Sequence, residues 1–376
     1  MLLATALLLS TLPPLGPPQT AQDPQDLPAA LEEYLAGVGE QLAAEVEADG
    51  VGGMSIALIV GDDLVWQRSY GLADVEKERL ATNETIYRTG SISKSVTALL
   101  LCKLVDDEAI ELDDPVHESL EELLTLDGDP NAARAVTFRQ LASHTSGLIR
   151  EPSLPNAARG RIDLWEDKIL ESIPTTSFLA APGERYSYSN IGYGILGLAL
   201  SRASEQPFRN LVTRRLFEPA GMTRSFFVIP EELRSDVAVG TANGGGQMNR
   251  LAPAFEHLGR GYKVPNGGVY ATAADLCRLL AYTRDAGAFS DEIWNELQGV
   301  QTPESPDSGY GLGFSIEIIG EQRLLSHGGS VAGYTAHWAL DPDRRIGVAV
   351  LRNYNQGRTN LSRVRDVTRE VARLLE

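Results

Sequence analysis

Cysteine, lysine and histidine are all scarce in this chain of 376 residues, which has two cysteines, five lysines (Lys77, Lys94, Lys103, Lys168 and Lys263) and five histidines. Cys102 and Cys277 are too few for a disulfide framework, and each lies in an apolar, helix-like stretch, so they read as buried free thiols. The histidines (His117, His144, His257, His327, His337) are scattered, and no Cys or His stands near another at ligand spacing, so neither a zinc site nor any other metal or cofactor is expected. Positive charge is short as well: 33 Lys and Arg against 51 Asp and Glu give a net charge of −18. That field repels phosphate backbones and anionic lipid, so nucleic acid is not an expected partner. No charge-free apolar run reaches the ~20 residues needed to span a bilayer, so no transmembrane segment is expected in the mature chain.

What remains is an ordinary globular composition, 43% hydrophobic and 22% charged. The length suits one large domain or two interleaved ones. Met1 to Leu15 is apolar without acidic residues and runs into a Pro/Gly/Gln-rich stretch, so residues 1–26 read as a secretory leader and linker, the alternative being a plain tail. Export to the periplasm or the exterior is the matching expectation. Leu27 to Val46 has helical spacing, and Met54 to Val60 with Leu64 to Tyr70 form a hairpin pattern around Gly61-Asp62-Asp63. Phe314 to Ile319, Arg323 to Ser326, Tyr334 to Leu340 and Ile346 to Arg352 read as strands, and Asn360 to Leu375 as a last helix. From Thr85 to Ala252 helical periodicity dominates. Segregated runs of this kind argue an α+β fold, with an antiparallel sheet built from both chain ends, flanked by terminal helices, and a mostly helical inserted region. The expected division is 27–84 plus 253–376 for the sheet region and 85–252 for the helical region.

Three short patterns carry candidate chemistry. Gly90 and Ser91 precede the apolar run Val96 to Leu101, a helix start on which Ser91 and Lys94 share one face, about 5–6 Å apart at Cβ. The positive end of the helix and burial both favour a neutral amine there, and a neutral amine beside a hydroxyl is a general base for a serine nucleophile. The bland alternative is a serine cap and a solvated lysine. Tyr188 and Asn190 stand two apart in an extended turn before the apolar helix Ile191 to Leu200, where a phenol can relay a proton and an amide can hold a carbonyl. The alternative is a packing tyrosine and a cap at Asn190. His327-Gly328-Gly329-Ser330 reads as a turn between strands, with glycines that admit a close backbone and a Ser330 amide that can serve as an oxyanion donor.

In that order, Ser91-x-x-Lys94, Tyr188-x-Asn190 and His327-x-Gly329 resemble the serine β-lactamase-like hydrolases: class C β-lactamases, D-alanyl-D-alanine carboxypeptidases, D-aminopeptidases and related esterases. Four further stretches resemble the same group: Leu141 to Leu148 (with His144-Thr145-Ser146-Gly147), Phe217 to Met222, Asn266 to Leu276 and Tyr310 to Gly313. The resemblance implies a β-lactamase/transpeptidase-like fold and a metal-independent serine hydrolase acting through an acyl-enzyme. Ser91 would be the nucleophile, Lys94 and Tyr188 would share its proton, and the Ser91 and Ser330 amides would hold the oxyanion. Asn190, His327, Gly328 and Gly329 would line the substrate. The substrates implied are small esters, amides or D-amino-acid peptides. Class C enzymes have Lys-Thr-Gly where this chain has His327-Gly328-Gly329, so weak β-lactam turnover is expected. A penicillin-recognising sensor, or a non-catalytic binding protein without turnover, is the rival reading. Two other patterns fall away: Gly192-x-Gly194-x-x-Gly197 follows a turn rather than a strand and reads as close helix packing, and no G-x-S-x-G elbow exists.

Overall fold

The computed structural model describes residues 27–244, 247–302 and 308–376; the expected leader and linker lie outside the described residues. Strands from both chain ends form one eight-stranded antiparallel sheet. In chain order its strands are β1 (Gly53–Val60), β2 (Asp63–Asp74), β3 (Arg79–Leu80), β4 (Ser308–Tyr310), β5 (Ser315–Ile319), β6 (Gln322–Val331), β7 (Tyr334–Asp341) and β8 (Ile346–Arg352). The spatial order is β3-β2-β1-β8-β7-β6-β5-β4. The first and last strands therefore meet at the centre, where Met54 pairs with Arg352 and Val60 with Ile346.

Alternation along these central strands feeds two cores. Ile56, Leu58, Val348 and Val350 face a layer made by helix α1 (Ala29–Asp49) and the carboxyl-terminal helix (Leu361–Leu375). Both helices show the spacing that buries one stripe: Leu31, Leu35, Val38, Leu42 and Val46 on the first, and Val364, Val367 and Val371 on the last. Each such side chain contributes about 1.5–3 kcal/mol when fully buried. Ala57, Ile59, Ala349 and Leu351 face the opposite way, into the larger core.

That larger core is built around α2 (Ile92–Asp106) and α3 (Asn190–Ala203), with α4 (Ala273–Tyr282) laid on the sheet; the carboxyl-terminal helix is α5. Ile191 to Ser201 are all buried, so α3 is wrapped by protein on every side, as an apolar helix without a polar face requires. The glycines of the Gly192-Tyr193-Gly194 run permit this: a Cβ on Gly197 would sit 2.3 Å from the Pro265 ring, and one on Gly194 would sit 3.1 Å from Tyr262. Packing, not nucleotide binding, explains them. Cys102 and Cys277 are both buried free thiols, on α2 and α4. Among the described residues no helix is long and apolar enough to cross a membrane.

Two expectations need correction. The His327-Gly328-Gly329-Ser330 segment is not a turn. Strand β6 runs through it to Val331, and the hairpin comes later, at Ala332-Gly333. The reason is steric: a Cβ on Gly329 would lie 1.9 Å from the Thr89 carbonyl oxygen, so the glycines allow the strand to press against another backbone. The cap of α3 is Ser189, whose hydroxyl accepts the Gly192 amide at 2.9 Å; Asn190 is already inside the helix.

Candidate active site

Helix α2 begins directly after Gly90, whose φ of +55° places it in the left-handed region. A Cβ on Gly90 would also meet the Ser330 amide nitrogen at 2.8 Å, so glycine is required for both reasons. Ser91 is the cap residue of α2 but its side chain makes no capping bond. Its hydroxyl instead accepts a hydrogen bond from Lys94 Nζ at 3.0 Å and lies close enough to the Tyr188 phenol to influence its pKa. Lys94 Nζ also donates to the Asn266 carbonyl at 3.3 Å and sits 4.7 Å from the centre of the Tyr188 ring. The first two motifs thus converge on one hydroxyl.

Lys94 is fully buried, and among the described residues no carboxylate bonds to it. Burial pushes its pKa well below the usual lysine value, and the nearby cations Arg260, Lys263 and Arg150 push it further in the same direction. Burial, more than the positive end of α2, is thus what favours the neutral amine. Tyr188 moves the other way: burial raises its phenol to about 12, against an opposing effect of the Ser91 hydroxyl and Arg150. The arrangement therefore holds an amine that is easily neutral and a phenol that keeps its proton.

The third motif forms the facing edge. Gly329 and Ser330 lie against Thr89, Gly90 and Ser91, so close that a Cβ on Gly329 would be 3.0 Å from the Ser91 amide nitrogen. His327 is buried, and both ring nitrogens are engaged within the protein: Nδ1 with the Gly328 carbonyl at 2.7 Å and Nε2 with the Tyr310 hydroxyl at 2.8 Å. A carbonyl only accepts, so Nδ1 carries the proton and Nε2 accepts from Tyr310. Burial, with Lys94 nearby, lowers the His327 pKa to about 3, so this position supplies no cation near neutral pH.

Asn190 Nδ2 donates to Glu151 Oε1 at 2.6 Å, and Glu151 also bonds the Tyr262 hydroxyl and Lys263 Nζ. Burial works against the Glu151 carboxylate, but these bonds outweigh it and hold its pKa below the usual range. Arg150 reaches over the Tyr188 ring, its Cζ 4.8 Å from the centre. Reading residue by residue singled out none of Glu151, Tyr262, Arg150 or Arg260. Lys263 offered a signal, as one of five lysines, and so did the stretches around His144, Asn266 and Tyr310. A cavity of about 430 Å³ is lined by Tyr186, Ser315 and Tyr310, the partner of His327; roomier ones between α1 and α5 contain none of these residues.

A family model described as Beta-lactamase matches residues 38–373. The chain belongs to the β-lactamase family. The match to this family of serine hydrolases takes in all of the described fold but the first part of α1 and the last residues of α5. Relatives include the D-alanyl-D-alanine-carboxypeptidase/endopeptidase AmpH of Escherichia coli, 25% identical over 346 residues that cover 86% of this chain and 85% of that protein. Beta-lactamase-like protein 4 of Dictyostelium discoideum is 27% identical across 82% of this chain, yet this β-lactamase-family chain spans only 57% of its length. Among solved structures, the octameric penicillin-binding protein homologue from Pyrococcus abyssi superposes with a TM-score of 0.71 at 28% identity, over 92% of this chain and 77% of that one.

Proposed function

We propose that this β-lactamase-family chain is a serine hydrolase that forms an acyl-enzyme at Ser91 and acts on small esters, amides or D-amino-acid peptides. One observation carries the reading: a buried amine without a carboxylate partner stands 3.0 Å from the Ser91 hydroxyl. As Ser91 Oγ bonds to the substrate carbonyl carbon, its proton passes to Lys94 Nζ. The carbonyl oxygen takes the negative charge and is held by the Ser91 and Ser330 amides, each such donor supporting a rate gain of about 100- to 1000-fold. When the carbonyl–leaving-group bond breaks, Tyr188 protonates the departing oxygen or nitrogen and recovers a proton from the Lys94 ammonium. Water then repeats the sequence and frees Ser91. Tyr188 serves as the acid in this scheme because its phenol, at about 12, keeps its proton, and Lys94 serves as the base.

Substrate preference follows from the third motif. A neutral, fully engaged His327 gives no permanent charge for a β-lactam carboxylate. Asn190 is anchored by Glu151, so its remaining polar capacity faces substrate as a fixed amide. The relationship to a D-alanyl-D-alanine-carboxypeptidase/endopeptidase supports the D-peptide class. The test is intact-mass analysis after incubation with p-nitrophenyl esters, D-alanyl peptides and a fluorescent penicillin, with product release followed in parallel. A transient adduct on Ser91 with continuing release of product is expected. A persistent, stoichiometric adduct would mark a penicillin-recognising sensor instead, and full labelling of Ser91→Ala would refute the nucleophile.

A further inference from the structure

His144 belongs to none of the three motifs, yet it touches the second directly and reaches the third through Tyr310. It is fully buried and has a φ of +61°, a left-handed conformation that histidine adopts only occasionally and that marks a position held by its surroundings. Its backbone carbonyl accepts the Ser187 amide at 2.7 Å, and its ring Nδ1 accepts the Ser189 amide at 3.0 Å. These two bonds grip the chain on either side of Tyr188. The imidazole itself lies 4.1 Å from the Tyr188 ring, centre to centre, and 4.9 Å from Tyr310, the residue bonded to His327.

A backbone amide can only donate, so the Ser189 bond requires an unprotonated Nδ1 and places the ring proton on Nε2. Nε2 is buried and has no hydrogen-bond partner among the described residues. A buried N–H left unpaired costs about 1–3 kcal/mol, and a phenyl or aliphatic side chain in the same space would avoid that cost. What those side chains lack is the acceptor for Ser189. The ring is thus present for its acceptor at Nδ1, and the element it holds is the three-residue segment carrying Tyr188.

We propose that His144 is a positioning residue that fixes the Tyr188 hydroxyl on Ser91 by clamping residues 187 and 189, with the imidazole held as the neutral Nε2–H tautomer. The proposal rests on the catalytic reading of Ser91 and Tyr188. It makes the Leu141 to Leu148 stretch part of the acid-delivering side of the site, and it predicts that His144 acts only through Tyr188.

The experiment compares Ser91 acylation rates by a p-nitrophenyl ester in His144→Gly, His144→Asn, Tyr188→Phe and both double variants. Asparagine tolerates the left-handed backbone, and its carbonyl can accept where Nδ1 did; glycine tolerates the backbone and removes the acceptor. His144→Gly is expected to slow acylation about 10-fold or more, roughly the effect of losing one to two hydrogen bonds in the transition state. In the Tyr188→Phe background the same change is expected to cost less than about 3-fold, because the two act as a unit. His144→Asn is expected to recover most of the wild-type rate. Equal losses in both backgrounds, or an asparagine variant as slow as the glycine one, would overturn the proposal. If the glycine variant does not fold, the asparagine pair decides alone: a folded His144→Asn that loses 10-fold with or without the Tyr188 hydroxyl rejects the clamp. Absence of any Ser91 adduct on the wild-type protein would reject the catalytic reading instead, a separate outcome.

Discussion

Among the described residues Arg88, Lys94 and Arg352 are buried cations, and the surroundings of the last two could hardly differ more. Arg352, at the end of β8, is 1% exposed; its guanidinium bonds Glu45 at 2.7 Å and also Asp49, and Glu45 is held in turn by the Thr359 amide and hydroxyl at 2.8 and 2.7 Å. Lys94, on the other side of the sheet, is 0% exposed and meets only a hydroxyl and a carbonyl, with three further cations nearby. A buried charge is costly unless it is paired. Arg352 is paired on both sides and ties α1 to the sheet. Lys94 escapes the cost by giving up its proton, and that makes it a base. The comparison separates a stabilising cation from a reactive one by partner chemistry alone.

The largest test of this contrast is Lys94→Met. Loss of the base is expected to slow Ser91 acylation by about 100- to 10,000-fold. Stability is expected to move the opposite way at neutral pH, up by about 1–4 kcal/mol, as when buried ionic groups are replaced by apolar ones. The pH dependence follows from the sign of the shift. The Lys94 pKa is lower in the folded chain than in the unfolded one, so between the two values the unfolded state holds more protons and wild-type stability rises with pH. The advantage of the methionine variant should therefore shrink as pH climbs towards the ordinary lysine value. Melting curves from pH 6 to 10 on both proteins check this, and a variant less stable than wild type across that range would break the comparison.

Arg352→Met should show the mirror image. It leaves buried Glu45 with only the longer Arg363 contact at 3.5 Å and the Thr359 bonds, and takes the Arg352 cation from half-buried Asp49, a loss of up to about 3–5 kcal/mol. Denaturant midpoints should fall accordingly, whereas the rate of Ser91 labelling in the protein that remains folded should change less than about 2-fold, since α1 and β8 contribute nothing to the site. A large loss of labelling rate in folded Arg352→Met would show that the two regions are coupled.

The sheet and the helix carrying Ser91 and Lys94 were legible because each rests on local periodicity: alternation in β1 and β8, and three-residue spacing on α2. The same locality explains what could not be read. Glu151 meets Asn190 across 39 residues and Tyr262 across 111, through loops whose course no short pattern fixes. The glycines of β6 suggested a turn because the Thr89 backbone that demands them is more than two hundred residues away. Asn190 suggested a cap because a neighbouring serine competes for the same role, and only the backbone conformation decides for Ser189. The residues around a base are thus harder to read than the base itself, although they set its pKa.

The smallest predicted effect concerns one of those surroundings. Arg150 is exposed and lies across the Tyr188 ring, and it is one of the cations that lower the Lys94 pKa, after burial, Arg260 and Lys263. Removing its charge in Arg150→Gln lets Lys94 hold its proton more tightly, so the acid limb of the acylation rate should move to higher pH. Lys94 Nζ and Arg150 Cζ lie 4.7 and 4.8 Å from the centre of the Tyr188 ring, and a unit charge at somewhat under about 10 Å contributes roughly 0.4–1 kcal/mol, or a shift of about 0.3–0.7 pH units. Because the guanidinium is in contact with solvent, the shift should shrink in ~1 M salt, where the screening length is about 3 Å. His327, held neutral with a pKa near 3, and His144, whose pKa burial also lowers, should add no limb of their own between pH 5 and 8. A limb that stays put or moves to lower pH in Arg150→Gln would mean that the Arg150 charge does not act on the titrating group.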